Sequence, residues 1–595
     1  MITWIKSKLT PTPPPYDPFT WRNLPLPERA QLACHAWALQ GFGAPISVYL
    51  FYVIKIICYV AVWFGFCALS PVLGGVGEIH TWWSHPIAFQ KAILWSMLFE
   101  VLGLGCGSGP LAARYFPPFG GSLYFVRVGT TKRALWPHLP LLGGYVRSWL
   151  DVSLYVGFIL YLLTALISPE PSPHHLMVIT VLLPVLGLMD QTVFLIARAE
   201  HYWMMTLCFF WAGDSVEGWL SGVMLIQLAL WAWAGVSKLN PHFPSVIAVM
   251  LSNHPLNRSL RFRRALYKSF PDDLRPSRLA RLLAHLGAAA ELLTPLFFIC
   301  ACTQFGGAEY AETWLILGIV MGVQLHLFIT SNVPMAAPIE WNILILYSIF
   351  ALFWAHPDVN PFELFSLAEV TAPTTWPSLN LSSLTGLIYV SVLLIGTVCV
   401  PLIGNLSPRR ISFLLAMRYY AGNWPYSVWL FRGDAHERLR ALKMTSPWIF
   451  DQLKILYDER TIEGIIGRVL GFRLMHLQGR PLNALIPLAI DHPLSDYRYM
   501  EGEVVSGLVV GWNFGDGHLH QTELLKNIQT QCHFEPGELR CIFVESQPLG
   551  GDSMCYQVYD AAEGLRAQGE VKVSDLEEVQ PWEAPPLIST PIGDE

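Results

Sequence analysis

From about residue 45 to about residue 405 the chain alternates between long apolar runs and short polar breaks. Such runs read as membrane helices, because roughly 20 apolar residues are needed to cross a bilayer. They fall at 46–69, 87–104, 150–167, 176–197, around 202–211, 220–236, 282–302, 313–329, 339–354 and 384–403. The piece around Tyr202 is too short to cross alone and must borrow flanking residues or be half-buried. The pattern predicts a polytopic α-helical membrane protein with about ten transmembrane helices. The run the chain turns on is 217–240, EGWLSGVMLIQLALWAWAGVSKLN, which ends on Ala234-Gly235-Val236-Ser237-Lys238-Leu239.

The flanks have a different periodicity. Residues 1–44 form a polar arm in which Pro11, Pro13, Pro14 and Pro15 forbid an early helix. Residues 27–40 suit either an amphipathic helix on the membrane surface or a solvated arm. Residues 406–480 read as a helical linker, with amphipathic helices at 434–444 and 447–470. Beyond Arg480, strands at 504–510, 540–544 and 556–558 and a helix at 522–530 predict a small C-terminal α+β soluble domain over 481–580. The tail 581–595, with Pro581, Pro585, Pro586 and Pro591, reads as disordered.

Composition agrees with a membrane protein: 53% of the 595 residues are apolar and only 14% are charged. A net charge of −6 argues against a nucleic-acid partner, leaving membrane lipids and a lipid-soluble small molecule as the expected ones. The eleven cysteines contain no C-x-x-C and lie mostly in apolar runs, which suits reduced core residues. No cleavable signal peptide is read at the start, since PTPPPYDP stands where its apolar core would be. Lys and Arg concentrate in 105–149, in 238–281 and at Arg409-Arg410. With a cytoplasmic N-terminus all three fall on the cytoplasmic side, and so does the C-terminus.

The chemistry worth weighing sits inside the apolar runs: Glu100, Asp190, His201, Lys238, His285, Glu291 and His326. Taken singly, each reads as a satisfied buried polar group; together they suggest a polar cavity. Lys238 has two readings, an anchor whose ammonium reaches the headgroups or a base held in a dry pocket. Small residues before Glu291 favour tight helix packing and turn it toward the bundle, whereas His285, six residues earlier, falls on another side. Pro334 and Pro338 make 332–342 a kinked turn able to close a cavity. The glycine run 103–109 follows a helix, not a strand, so an irregular or re-entrant segment is expected there and not a dinucleotide loop. Asp516-Gly517-His518-Leu519-His520 would point both imidazoles to one face if it were a strand, but it is also an ordinary turn signal, and no metal site is assigned.

Two segments carry a resemblance. WAWAGVSKLN, with Glu200-His201-Tyr202-Trp203 upstream, resembles the AG-x-x-KL and N-H-x-Y-L segments of the vitamin K-dependent γ-glutamyl carboxylases and the wider HTTM family (horizontally transferred transmembrane domain). The resemblance implies Lys238 as a base and His201 as its assistant, acting on a quinone or quinol. Glu200 stands where that family has asparagine, and nothing resembles the carboxylase lumenal domain. Over its whole length the chain is similar to uncharacterised bacterial multi-span proteins of the DUF3556 type, through FEVLGLGCGSGPLAARYFPPFGG and VVGWNFGDGHLH. That likeness implies a cell (inner) membrane location. Two function classes follow: a membrane enzyme acting on a lipid-soluble, quinol-like substrate, and a non-catalytic transport, export or immunity protein that binds in the same cavity.

Overall fold

The structure is a computed structural model, and it describes residues 9–105, 121–211, 215–257, 259–332, 338–365, 382–410, 415–512 and 517–591. Most of the glycine run, residues 333–337 of the kinked turn, Asp516 and the last four residues of the tail lie outside them. Among the described residues six helices are long and apolar enough to cross a membrane: Ile46–Ala68, Trp149–Ile167, Val216–Ser237, Arg278–Cys302, Ala308–Ser331 and Gly386–Leu406. Their burial shows their place. Ile46–Ala68 is only 17% buried and presents Leu50, Ile54 and Ile57 outward, whereas Val216–Ser237 is 67% buried at the centre of the bundle.

The other predicted crossings are shorter. Pro86–Val101 has 16 residues, about 24 Å of helix against roughly 30 Å of hydrocarbon, and is buried nearly all round. The run 176–197 is divided: one helix ends at Met189, and Asp190, in extended backbone, caps a second, Gln191–Ile196, by accepting from the Thr192 N–H. Met204–Trp211 is eight residues long, and Ile339–Trp354 ends in a π-helical segment. The basic stretch 238–281 is not all loop. It holds an apolar, largely buried helix, Phe243–Asn253, and an antiparallel hairpin, Tyr267–Ser269 with Asp273–Pro276.

The polar part is built on a six-stranded antiparallel sheet. Its strands are β1 (Tyr426–Arg432), β2 (Tyr497–Glu501), β3 (Leu539–Val544), β4 (Ser553–Asp560), β5 (Gly564–Lys572) and β6 (Ile588–Thr590), in the order β2-β1-β3-β4-β5-β6. Strand β1 lies well before residue 481 and is buried along nearly its whole length. The sheet therefore draws on the predicted linker as well as the predicted domain. Three local readings are corrected. Residues 504–510 belong to a helix, Gly502–Val509; the 434–444 region is a 3₁₀ turn, Ala435–Ala441; and 447–470 is two helices, separated where Asp458 caps Glu459–Met475.

The two ends of the chain are docked on this unit. The helix Leu26–Gln40 buries Ala30, Ala33 and Trp37 against Glu459–Met475, so this apolar face meets protein. The approach is close enough that a Cβ on Gly471 would stand 2.6 Å from the Ala33 carbonyl oxygen. Arg468 locks the joint by donating to the carbonyls of Gly41 (2.5 Å) and Thr12 (2.7 Å). At the other end, β6 pairs with β5 and Trp582 stacks edge-on against His35, so residues 581–591 of the predicted disordered tail are ordered. A proline-rich segment needs no helix or core of its own when a sheet edge and a ring pocket receive it.

Candidate functional site

Gly235 sets the geometry of the site. A side chain there would meet Leu292 at 2.7 Å, so its absence lets the helix Val216–Ser237 approach Arg278–Cys302 closely. That approach brings Lys238, the C-cap, against Glu291, with Nζ 2.5 Å from Oε2. Pro295 lies in the next turn of the Glu291 helix and has no N–H to give to the Glu291 carbonyl, which loosens the ladder there. Lys238 also donates to the Ala234 carbonyl (3.3 Å), and its ammonium lies 5.6 Å from the Phe243 ring. Both partners are buried, at 8% and 4% exposure. Lys238 is therefore not an anchor reaching into headgroups.

The pair lines a cavity of about 120 Å³. Its walls are mostly apolar, and they come from both halves of the molecule, membrane helices on one side and Trp424 and His476 of the sheet unit on the other. His326 is held on two sides: its Nε2 accepts from Trp231 Nε1 (2.8 Å), so Nδ1 carries the proton and donates to Asn342 Oδ1 (2.8 Å). Asn342 in turn donates to the Pro338 carbonyl (3.0 Å). This chain orients a neutral imidazole at the cavity wall. Asn332 donates to the Phe328 carbonyl, while its Oδ1 is buried with no partner among the described residues. His476 Nδ1 bonds the Phe472 carbonyl (2.8 Å), which leaves Nε2 unprotonated, and burial pulls its pKa down to about 3. The site thus combines one ion pair with hydrogen-bonding groups in an otherwise greasy space.

His201 does not line this cavity. It sits in a π-helical turn, Ala199–Trp203, entered through Arg198 in the left-handed conformation (φ +44°). Its Nδ1 accepts from Trp341 Nε1 at 3.0 Å, and Trp341 is itself a cavity wall, so one indole stands between His201 and the Lys238 chamber. Behind the same indole lies a buried charge cluster. Arg198 covers the Trp341 ring at 4.6 Å and pairs with Glu100 (2.9 Å), while Lys55 pairs with Glu340 (3.5 Å). Glu340, Trp341 and Asn342 are consecutive, so one helical turn serves the charge cluster, the dividing wall and the His326 relay.

Of the seven ionisable residues singled out from sequence, Lys238, Glu291 and His326 meet in one chamber, His201 adjoins it, and Glu100 belongs to the cluster behind the wall. Two stand elsewhere. Asp190 accepts from Arg147 Nε (3.0 Å) and Nη2 (2.6 Å), tying the bundle to the sheet unit through the Arg147 bond to the Val510 carbonyl. His285 is exposed on the outer face of its helix. In the polar part, His518 and His520 lie in a 3₁₀ turn and diverge, His518 to Glu545 (2.7 Å) and His520 to Ser427 (2.8 Å). Among the described residues no group of three or more His, Cys, Asp or Glu side chains is arranged to hold a metal. Asn332, Trp341 and Asn342 fall in the 332–342 turn that the sequence offers as a cavity closure without marking them singly, and His476 carries no sequence signal; only the packing brings these side chains to the chamber.

The family described as "Transmembrane protein of unknown function (DUF3556)" matches the chain over residues 7–591. The chain belongs to this family. Comparison with curated proteins returns no match, and neither does comparison with solved structures. Since the family match runs through the bundle, the sheet unit and both docked ends, the Lys238 chamber is framed by parts of the family's full length.

Proposed function

We propose that the chain binds a lipid-soluble, quinol-like molecule in the Lys238 chamber and removes a proton from its polar end. The observation that carries this reading is the Lys238–Glu291 pair opening into an apolar cavity between the membrane helices and the sheet unit. In this reading Glu291 takes the ammonium proton across the contact and leaves Lys238 an amine. That amine accepts the proton of a ligand hydroxyl, and the resulting ammonium neutralises the phenolate. His326, with both ring nitrogens engaged by Trp231 and Asn342, offers the ligand a fixed ring to pack against. His201, assigned the assisting role by resemblance to the carboxylases, acts in this reading through Trp341. We place the protein in a bacterial cell membrane, with its ten apolar segments forming the bundle and both termini cytoplasmic. Two contacts support this orientation: the Leu26–Gln40 helix packs on the Glu459–Met475 helix, and Arg275 of the basic stretch bonds the Glu578 carbonyl, so both ends share the side of a basic loop.

The test is spectroscopic. A prenylated hydroquinone added without air to the protein in lipid nanodiscs should show the red-shifted absorption of its phenolate at neutral pH. Lys238→Met, if folded, should bind it without that shift. A bound ligand that stays protonated in the unaltered protein would overturn the acid–base reading and leave a binding or carrier role.

A further inference from the structure

A second pocket, of about 180 Å³, lies in the polar part between the N-terminal arm and the Glu459–Met475 helix, apart from the Lys238 chamber. Its floor is apolar, with Leu470, Ile486 and Tyr497. Into it projects Arg29, more than nine-tenths buried at 8% exposure. Only Arg29 Nε has a hydrogen-bond acceptor among the described residues, the Leu24 carbonyl at 2.7 Å, and the remaining guanidinium N–H groups have none. The lining also holds Arg22, Lys454 and Arg498 against Glu459 and Glu463, an excess of two positive charges with Arg29 counted. Arg22 pairs with Glu463 at 3.4 Å, and Arg498 with Asp434 at 3.4 Å; the inner guanidinium faces the Trp21 ring at 5.9 Å and feels the Glu463 charge, but no carboxylate among the described residues bonds it.

A buried guanidinium with its planar edge open matches a two-oxygen acceptor, a carboxylate or a phosphate, and the apolar floor matches a hydrocarbon body. We propose that this pocket binds a small amphipathic anion, its oxyanion on Arg29 and its hydrocarbon portion on Leu470, Ile486 and Tyr497. The site would give the cytoplasmic face of the protein a ligand distinct from the one in the bundle.

The probes are octanoate, octyl phosphate and octanol, titrated against the full chain in phosphatidylcholine nanodiscs and followed by saturation-transfer NMR, with empty discs subtracted. At least one of the two anions should bind, about tenfold or more tighter than octanol, since a charge-assisted hydrogen bond is lost in the alcohol. The preferred anion identifies the head. Arg29→Met should abolish the preference. Because Arg29 also holds the Leu24 carbonyl, that variant can disturb the arm, so Lys454→Glu, at an exposed position on the rim, serves as the second test. It should weaken anion binding severalfold with octanol unchanged. Equal binding of anions and octanol, an unaltered preference in Lys454→Glu together with a folded Arg29→Met, or no binding of any probe would each overturn the proposal.

Discussion

Breaking the Lys238–Glu291 pair from one side should cost far more than removing it whole. At 2.5 Å and an effective dielectric constant of 20, the attraction amounts to about 7 kcal/mol. Desolvating the two ions costs several kcal/mol for each, so the pair as a unit is close to neutral for stability. A single change is different. Lys238→Met leaves the carboxylate beside apolar walls, and Glu291→Leu leaves the ammonium with only the Ala234 carbonyl and the Phe243 ring. Each should lose about 3–5 kcal/mol. The double variant, with two apolar side chains of similar volume, should return to within about 1–2 kcal/mol of the unaltered protein or exceed it. Reversible unfolding in mixed detergent–lipid micelles, with increasing SDS and helix content as the signal, gives the four stabilities of the cycle. If the double variant is as unstable as the sum of the two singles, the side chains are not coupled, and the geometry on which the chamber rests is wrong.

Three further outcomes follow from other contacts. Asn342→Leu removes the acceptor of His326 Nδ1–H and should cost about 1–3 kcal/mol while weakening ligand binding in the chamber, read by the same hydroquinone titration. Asp190→Asn should destabilise by about 3–5 kcal/mol, because Arg147 loses its carboxylate in a buried setting, yet leave hydroquinone affinity of the folded protein unchanged. Burial pulls His520 and His476 down to about 3, below the ordinary histidine value of about 6.5, so their stabilising contribution is complete above pH 6.5 and is lost as the pH falls toward 3. At pH 5 each should cost about 2 kcal/mol. The drop in stability from pH 7.5 to 5.0 should therefore be smaller in His520→Gln than in the unaltered protein, and an equal drop would show that the imidazole is not buried neutral.

Composition and period alone determine that the chain is a helical membrane protein, because a long apolar run has no soluble alternative at this frequency. The six long helices begin and end within five residues of where hydropathy places them. Local sequence also marks Gly235 and Lys238 as unusual, one for its missing side chain and the other for its charge at the end of an apolar run. What it does not contain is the partner. Lys238 and Glu291 are 53 residues apart, and their pairing depends on two helices packing at the surface that Gly235 leaves open. The same limit explains the misread segments. The stripe of Ala30, Ala33 and Trp37 looks alike whether it meets lipid, water or protein, and only the Glu459–Met475 helix decides between them. Residues 504–510 have the β-branched content of a strand, but the sheet edge is already taken by β2, and tertiary packing overrides so weak a preference. Asp190 sits in an apolar run and resembles a site carboxylate until Arg147, 43 residues earlier, is seen to hold it. Periodicity reports which side of an element is apolar; the identity of what lies against that side is a property of the folded chain alone.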